Sequence, residues 1–308
     1  MKITIGPDQA GKRVDRILQE ICSDISRSQI QKQFFDMGLV RIGDKTLTKH
    51  YRVKSGDVID AQEIASRVLA HDGSARGVEV APAILFEHDA YIVLNKPSGL
   101  LVHPTAQSQE YTVVDFLLSY YPPIKKVGDD PLRPGIVHRL DKDASGVMVA
   151  AKTQEAFDVL KKQFKLRQVK KEYLVLVYGE MPRSEGDITF SLGRSRHSPR
   201  IAAKSSVGSR HAETHYVLEE HFSRYSLVRV TPRTGRTHQI RVHFFAYDHP
   251  VVGDPIYVPK KIKTLTNTRL MLHATRLGFY DEKNQWQEYV CPPGKDFEAV
   301  LELLRTVR

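Results

Sequence analysis

From about Ala83 onward the chain is broken into short apolar runs separated by Pro, Gly and charged turns. Residues 84–86, 91–94, 147–151, 173–178, 214–218 and 226–231 are of strand length and rich in Val, Tyr, Leu and Ile. Such residues suit a pleated, half-buried surface. Residues 112–120 and 155–164 instead repeat their apolar side chains at helical spacing. Helices scattered among hairpin-like strand pairs predict an α+β fold with a mixed, mainly antiparallel central sheet.

A chain of 308 residues, 41% hydrophobic and 27% charged, has globular composition and room for two domains. The first sixty residues read as a separate small α/β module. Val14, Ile17, Leu18 and Ile21 fall on one helical face, and Ser26-Arg27-Ser28 caps a second helix with Ile30, Phe34 and Phe35 as its apolar side. Short β segments follow at 39–42 and 58–59. Between Ala61 and Pro82 the periodicity fades into linker composition. The expected organisation is therefore a module over 1–62, a linker over 63–82 and a large domain over 83–308. No apolar run is long enough to span a bilayer, and the N-terminus lacks the apolar stretch of a secretory signal. Two distant thiols, Cys22 and Cys291, fit a reducing compartment. These features predict a soluble, cytoplasmic protein with no membrane partner, and a monomer is the default expectation.

The net charge of +10 is unevenly distributed. Residues 159–171 hold Lys161, Lys162, Lys165, Arg167, Lys170 and Lys171 without an acid, and residues 189–212 hold Arg194, Arg196, Arg200, Lys204 and Arg210, again without one. One such run is ordinarily a solvated face. Two in one basic domain point to a polyphosphate partner, and so to nucleic acid.

Against that background the string His138-Arg139-Leu140-Asp141-Lys142-Asp143-Ala144-Ser145-Gly146 stands out. Its approach, residues 131–137, is Pro- and Gly-punctuated and ends apolar, and its exit, residues 147–151, is apolar throughout. Two buried strands are expected to hold a loop in which Arg139 and Asp141, two residues apart, point the same way. Asp, Ser and Gly also make ordinary turns, so composition alone leaves this loop open. The whole string, however, resembles the active-site motif of the pseudouridine synthases, in the branch whose signature begins His-Arg-Leu-Asp. That resemblance implies Asp141 as the essential nucleophile or base and Arg139 as the side chain that displaces the target uridine from its stack. Ala144 stands where the family usually has Thr, which implies a lost loop hydrogen bond.

Further strings carry the same resemblance. Thr234-Gly235-Arg236-Thr237-His238-Gln239-Ile240-Arg241-Val242-His243 follows a strand, and its Gly permits a tight turn into a helix. By the match Arg236 pairs with Asp141, keeping the carboxylate charged against desolvation. Arg241 and His243 read as structural or RNA-facing. Lys171-Glu172-Tyr173-Leu174-Val175 implies Tyr173 as the aromatic residue against the target base, with a part in moving the final proton from carbon 5. Asn95-Lys96-Pro97-Ser98-Gly99 implies a scaffold turn with Lys96 supporting the cleft at the substrate, and Leu272-His273-Ala274 implies Leu272 packing near the base.

The N-terminal module resembles the small RNA-binding domain first known from ribosomal protein S-four, through Arg13-Val14-Asp15, Ser26-Arg27-Ser28-Gln29-Ile30, Gly38-Leu39-Val40 and Lys54-Ser55-Gly56-Asp57-Val58-Ile59. Arg27, with Gln31 and Lys32 one turn later, forms its expected RNA-facing side. A module of this kind in this branch implies structured ribosomal RNA, most of all that of the large subunit, with transfer RNA second.

Other chemistries fail on spacing. His238, His243 and His249 lie five and six apart, unlike a helical zinc pair, and Cys-x-x-Cys is absent, as are Gly-x-x-x-x-Gly-Lys and Gly-x-Gly-x-x-Gly. Isomerisation passes no electrons to an acceptor, so neither cofactor nor metal is expected. The alternatives are a non-catalytic RNA-binding protein for ribosome assembly or RNA chaperoning, and a hydrolase that releases free uracil.

Overall fold

The structure is a computed structural model and describes residues 2–21, 31, 35, 40–60, 80–104, 110–194, 201–203, 207–259, 262, 265 and 268–306. The chain divides into two compact units: Met1–Val78 with His103–Pro134, and Glu79–Val102 with Gly135–Arg308.

In the first unit the apolar face of α1 (Val14–Ile21) buries Val14, Ile17 and Leu18 completely, against a cluster containing Val40, Leu47, Val53 and Ile59. Strands β1 (Lys2–Thr4), β2 (Arg41–Ile42), β3 (Lys45–Thr46) and β4 (Val58–Asp60) form one antiparallel sheet in the order β1-β4-β2-β3. Asp15, turned inward on the same helix, is fully buried and accepts two bonds from Arg13, at 3.1 and 2.9 Å. The amide of Gln31 donates to it at 2.6 Å. Gln31 is thus committed to Asp15 and does not present its amide to RNA, a correction to the sequence reading. A buried carboxylate needs donors more than the surface needs an amide. Arg27, Lys32 and most of the expected second helix lie outside the described residues. The same unit holds α2 (Val113–Tyr120), which starts at a capping box: Thr112 Oγ1 accepts from the Asp115 N–H at 3.2 Å and Asp115 Oδ2 accepts from the Thr112 N–H at 2.9 Å.

The second unit is built on one ten-stranded sheet. Its strands are β5 (Ala83–Glu87), β6 (Tyr91–Lys96), β7 (Ser145–Ala151), β8 (Lys170–Tyr178), β9 (Glu185–Arg194), β10 (Ile201–Ala203), β11 (Val207–Phe222), β12 (Tyr225–Pro232), β13 (Leu272–Tyr280) and β14 (Trp286–Val290). They run in the order β10-β9-β11-β12-β8-β13-β7-β6-β5, with β14 paired to β13. The β13–β7 pair is parallel and the other pairs of the described strands are antiparallel. The fold is therefore α+β with a mixed, mainly antiparallel sheet. Helices α3 (Gln154–Leu166), α4 (Gln239–Ala246) and α5 (Lys295–Thr306) complete the unit. No helix among the described residues is long and apolar enough to cross a membrane.

The expected strand over 131–137 does not form. Its Pro and Gly residues leave a run of turns, joined to β7 by an isolated bridge between Ile136 and Ala150 and by the bond from Ala151 N–H to Gly135 O at 2.9 Å. On the exit side β7 is buried along its whole length. Its second residue, Gly146, has φ +119°, and a Cβ there would lie 2.2 Å from Ala274 O. Only glycine lets β7 come this close to β13. Behind these strands Val175, Val177, Val228, Val230, Ile240, Phe244 and Leu272 share one core cluster with Ala144. Each large apolar side chain buried there contributes about 1.5–3 kcal/mol. That packing fixes the backbone beneath the loop that carries Asp141.

Candidate active site

The loop between residues 138 and 144 is tied down on several sides. His138 accepts the Val149 N–H at Nε2 (3.0 Å) and stacks on Phe164, ring centroids 4.4 Å apart. Burial, aided by Lys171, pushes its pKa down to about 3, so the ring stays neutral with the proton on Nδ1. The backbone closes a turn from Ala144 N–H to Asp141 O at 3.2 Å. Ser145 Oγ bonds His273 Nδ1 at 2.8 Å, while Nε2 of that ring bonds Cys291 O at 2.9 Å. Ala144 itself is buried, so the methyl group fills core space where a hydroxyl was expected.

Lys96 is the deepest of these anchors. It is fully buried and donates to the carbonyl oxygens of Pro97 (2.7 Å), Leu100 (2.8 Å) and Lys142 (2.9 Å). Burial draws its pKa down to about 7, against the pull of Asp143 and Asp141, with Arg269 adding to the fall. Three acceptors need three N–H donors and so favour the ammonium form. Ser98 Oγ reinforces the junction by donating to Asp143 O at 2.6 Å. Lys96 was expected at the substrate. It lies instead beneath the loop, as a buried tie between two turns, and has no exposed surface to offer a ligand.

Above this base lies a cleft of about 510 Å³, within the range that holds a small-molecule ligand. Asp141, Arg139, Tyr173, Arg236 and Leu272 all line it. So the sequence motifs, far apart in the chain, converge on one opening. Leu272 and Ala274 of β13 lie beside Val175 and Tyr173 of β8 in register, which sets the apolar floor. Burial, and then the charge of Asp141, raises the Tyr173 pKa, so its phenol remains neutral.

The cation on Asp141 is not the one expected. Arg241 Nη1 bonds Asp141 Oδ2 at 3.1 Å, whereas Arg236 turns its Nε toward His211 O at 3.4 Å. The cause is the turn before α4. Gln239 accepts from Thr234 Oγ1 (2.7 Å) and the Arg236 N–H (3.0 Å), and its amide donates to Glu213 O and Thr214 Oγ1, each at 2.9 Å. This pins residues 234–236 against β11 and leaves the first turn of α4 to face the loop. Gly235 has no positive φ. The left-handed residue at the entry is His238, with φ 54°.

Arg241 is itself held by a residue the sequence reading overlooked. Its Nε and Nη2 bond Asp254 Oδ2 and Oδ1 at 2.7 and 2.8 Å, and both side chains are buried. Asp254 Oδ1 also accepts the N–H groups of Ile256 (2.8 Å) and Tyr257 (2.9 Å). Burial pushes the Asp254 carboxyl up, but the Arg241 bond and charge and these two amides outweigh it, leaving its pKa below the usual range. Burial alone lowers Arg241; the two carboxylates together raise it. The signal available in the sequence was Gly253-Asp254-Pro255. Gly253 has φ +73°, and a Cβ there would lie 1.9 Å from Arg269 O, so the turn that delivers Asp254 requires glycine.

Among the described residues Asp141 is the single acid in the lining, which otherwise carries Arg139, Lys165, Arg167, Lys171, Arg236 and Arg241. Among the described residues, only Arg241 of these six has a carboxylate within ion-pair distance. A lone carboxylate in a cationic cleft, fixed by a buried guanidinium, suits chemistry on a polyanion. Residues 90–246 match the family model described as RNA pseudouridylate synthase. The chain is also 37% identical over 309 aligned residues to an uncharacterized RNA pseudouridine synthase of Chloroflexus aurantiacus, spanning 98% of this chain and 93% of that protein.

The chain belongs to the RNA pseudouridylate synthase family. As a member it is an enzyme that isomerises uridine to pseudouridine, which favours catalysis over the binding-only alternative. It is similar as well to the ribosomal large subunit pseudouridine synthase D of Vibrio cholerae, with 36% identity over 98% of this chain and 94% of that one. Among solved structures it resembles human RNA pseudouridylate synthase domain containing 1. There the TM-score is 0.59 and the identity 25%, over 75% of this chain and 97% of the human one. The matched segment of the synthase includes β6, β7, β8 and α4, and so reaches Asp141, Tyr173, Arg236 and Arg241.

Proposed function

We propose that this synthase modifies uridines in large-subunit ribosomal RNA, with Asp141 as the reacting carboxylate. The observation that carries the reading is the position of Asp141, the one acid in a cation-lined cleft, 3.1 Å from a guanidinium bound on its far side to a second carboxylate. In the reaction the bond from ribose C1′ to N1 breaks, the uracil turns, and C5 bonds to C1′. The proton on C5 leaves as N1 gains one. Covalent attack by the carboxylate and removal of a ribose proton both need Asp141 ionised and fixed. Arg241 sets a cation against that carboxylate, and its own bonds to Asp254 fix its direction.

The other cleft residues divide the remaining work. Arg139, two residues from Asp141, fills the gap that the displaced uridine leaves in its stack. Tyr173 offers its ring to the flipped base, and such stacking contributes about 1–3 kcal/mol per base. Because its phenol is held neutral, Tyr173 acts as a face and a hydrogen-bond donor; a phenolate base is not available. Leu272 closes the apolar side. Arg236, turned toward His211, serves the RNA backbone with Lys165, Arg167 and Lys171. Residues 1–62 are read as the S-four-type RNA-binding module, 63–82 as linker and 83–308 as the catalytic domain. The chain works as a monomer, in the cytoplasm where ribosomes are assembled. Relatives named for the ribosomal large subunit support that substrate over transfer RNA.

The test is carbodiimide-dependent primer extension on ribosomal RNA and transfer RNA transcripts treated with wild type or Asp141→Asn. Stops at discrete uridines of the large-subunit RNA, present only with wild type, are the expected result. Stops confined to transfer RNA overturn the substrate, and stops that persist with Asp141→Asn overturn the role of Asp141.

A further inference from the structure

Asp141 has a second neighbour that its cation does not explain. His238 Nε2 lies 4.0 Å from Asp141 Oδ1, the oxygen that Arg241 leaves open. The opposite ring nitrogen, Nδ1, is 2.9 Å from the hydroxyl of Tyr257. Tyr257 is buried, and its ring meets the imidazole edge-on at a centroid distance of 5.6 Å. The same ring carries the Arg241 guanidinium over its face at 5.2 Å. Its backbone N–H is one of the donors to Asp254. One tyrosine therefore braces both groups that face Asp141.

The backbone supports the same conclusion. His238 is left-handed (φ 54°, ψ 21°) at the entry to α4 and makes no side-chain cap bond there. A non-glycine residue in this region is strained, and such strain persists where the surroundings enforce it. A cap would have been the ordinary use of that position. Here the side chain is committed to Tyr257 and the cleft.

The hydrogen-bond logic fixes the tautomer. At 4.0 Å this contact is not itself a hydrogen bond, but a carboxylate only accepts, so a nitrogen that closes onto Asp141 must carry the proton. Nδ1 is then an acceptor, and the Tyr257 hydroxyl donates to it. We propose that His238 is a positioning residue for Asp141, held by Tyr257 as the neutral Nε2–H tautomer and closing onto Oδ1 when RNA fills the cleft. Such bonds are commonly long without substrate and tighten in the reacting complex. Arg241 and His238 then hold one carboxylate oxygen each, so the carboxylate cannot rotate. The proposal rests on the reading of Asp141 as the reacting group.

Charge around the ring decides its protonation. Asp141 and Arg139 face it from the loop, Arg241 from α4, and Asp254 and Tyr257 from the segment after Gly253. Burial lowers the His238 pKa, Asp141 opposes that, and Arg241 and Arg139 reinforce it; the net shift is downward from 6.5. The ring is therefore neutral near pH 7, as the tautomer requires. Below that range an imidazolium would pair with Asp141 and damp its reactivity.

The test reads the tautomer directly. Side-chain ¹⁵N spectra of the full chain, in which His238 is one of 13 histidines, are assigned by loss of its signals in His238→Gln or their shift in Tyr257→Phe. The Nε2–H form is expected in wild type and a mixture of tautomers in Tyr257→Phe. Single-turnover isomerisation of a large-subunit ribosomal RNA transcript should fall about tenfold or more in His238→Ala, the scale of one hydrogen bond to a charged group. RNA affinity should stay unchanged. His238→Gln, which keeps an N–H donor, should recover part of the rate and carry the acid limb to lower pH. An Nδ1–H tautomer in wild type, a wild-type rate in His238→Ala, or an acid limb unmoved in His238→Gln overturns the proposal. Asp141→Asn that still turns over overturns the role of Asp141 instead, and the tautomer spectrum separates the two failures.

Discussion

Replacing Asp254 by Asn tests the arrangement around Arg241 while changing almost no volume. Four N–H groups converge on this carboxylate: those of Ile256 and Tyr257 with Arg241 Nη2 on Oδ1, and Arg241 Nε on Oδ2. An asparagine oxygen can keep the first three. Its NH₂ then meets the Arg241 Nε–H donor to donor, so one charge-assisted bond is lost, worth about 1.5–3 kcal/mol. Breaking a buried ion pair outright costs about 3–5 kcal/mol. Arg241 keeps Asp141 as a counter-charge, so the lower part of that range applies, about 2–4 kcal/mol in all. The only tryptophan, Trp286, lies on β14 against Tyr280, so its fluorescence reports on urea unfolding of this unit. The pH dependence gives a second check. The folded pKa of Asp254 lies below its unfolded value, so its stabilisation is fully present above the unfolded pKa of about 4 and is lost as pH falls through the folded one. Wild type should therefore lose its advantage over Asp254→Asn in acid, and the two denaturation midpoints should approach each other. A difference under about 0.5 kcal/mol at pH 7, the size of an ordinary surface substitution, would show that the buried pair does not form in solution.

The remaining predictions address the loop and the rim. Lys96→Met removes the donor from three carbonyls; that of Lys142 keeps the Gly99 N–H, while those of Pro97 and Leu100 lose theirs at a cost of about 1–3 kcal/mol each, so urea midpoints should fall and turnover should drop with them; an unaltered midpoint refutes its role as the tie. Gly146→Ala drives a methyl into the Ala274 backbone, and the expected outcome is loss of soluble folded protein, judged by circular dichroism and gel filtration. Replacing Lys165 and Arg167 together by Gln should flatten the salt dependence of RNA affinity. The log–log slope should shrink by about 0.7 for each phosphate of single-stranded RNA that the protein ceases to neutralise. A slope identical to wild type removes that wall from the RNA path.

What could be read from the sequence was set by range of interaction. Helix α2 was readable to within a residue because its apolar side chains repeat at helical spacing; the capping box of Thr112 and Asp115, three apart, fixes its start in the structure. Strands β6, β7, β8 and β12 were readable because burial on the sheet demands Val, Ile and Leu in continuous or alternating runs. Strand β11 runs from Val207 to Phe222, far beyond the expected 214–218. Its first half holds Arg210, His211 and Glu213 and is made a strand by pairing with β9, not by its own side chains. The same applies to β9 itself, where Gly186 and Gly193 interrupt the alternation. Asp141, Arg139, Tyr173 and Leu272 were legible as a set because each sits inside a run of family-like residues. The pairing of Asp141 with Arg241 was not, since Arg236 and Arg241 stand in the same string, and only the turn pinned by Gln239 decides which of them faces the loop.

The division of one arginine between two carboxylates has a chemical consequence. Asp141, Arg241 and Asp254 together carry a net charge of −1, and the arginine is not shared evenly. Asp254 takes two bonds at 2.7 and 2.8 Å, while Asp141 takes one at 3.1 Å. Two-point guanidinium–carboxylate pairs are the strong ones, so most of the cation's compensation goes to Asp254. Asp141 is left oriented by a single bond, with little of that compensation reaching the oxygen that faces the cleft. A simple two-residue pair of Asp141 with a free arginine would close into the two-point form and quench the group it was meant to direct. Asp254 holds the Nε and Nη2 edge and so fixes the direction of the guanidinium, which reaches Asp141 through Nη1 alone. It follows that Asp254→Asn should lower turnover without weakening RNA binding, because an arginine that has lost its Nε bond is held less firmly in the direction that gives Asp141 a single N–H. Equal losses in turnover and affinity would mean that Asp254 serves the shape of the cleft alone.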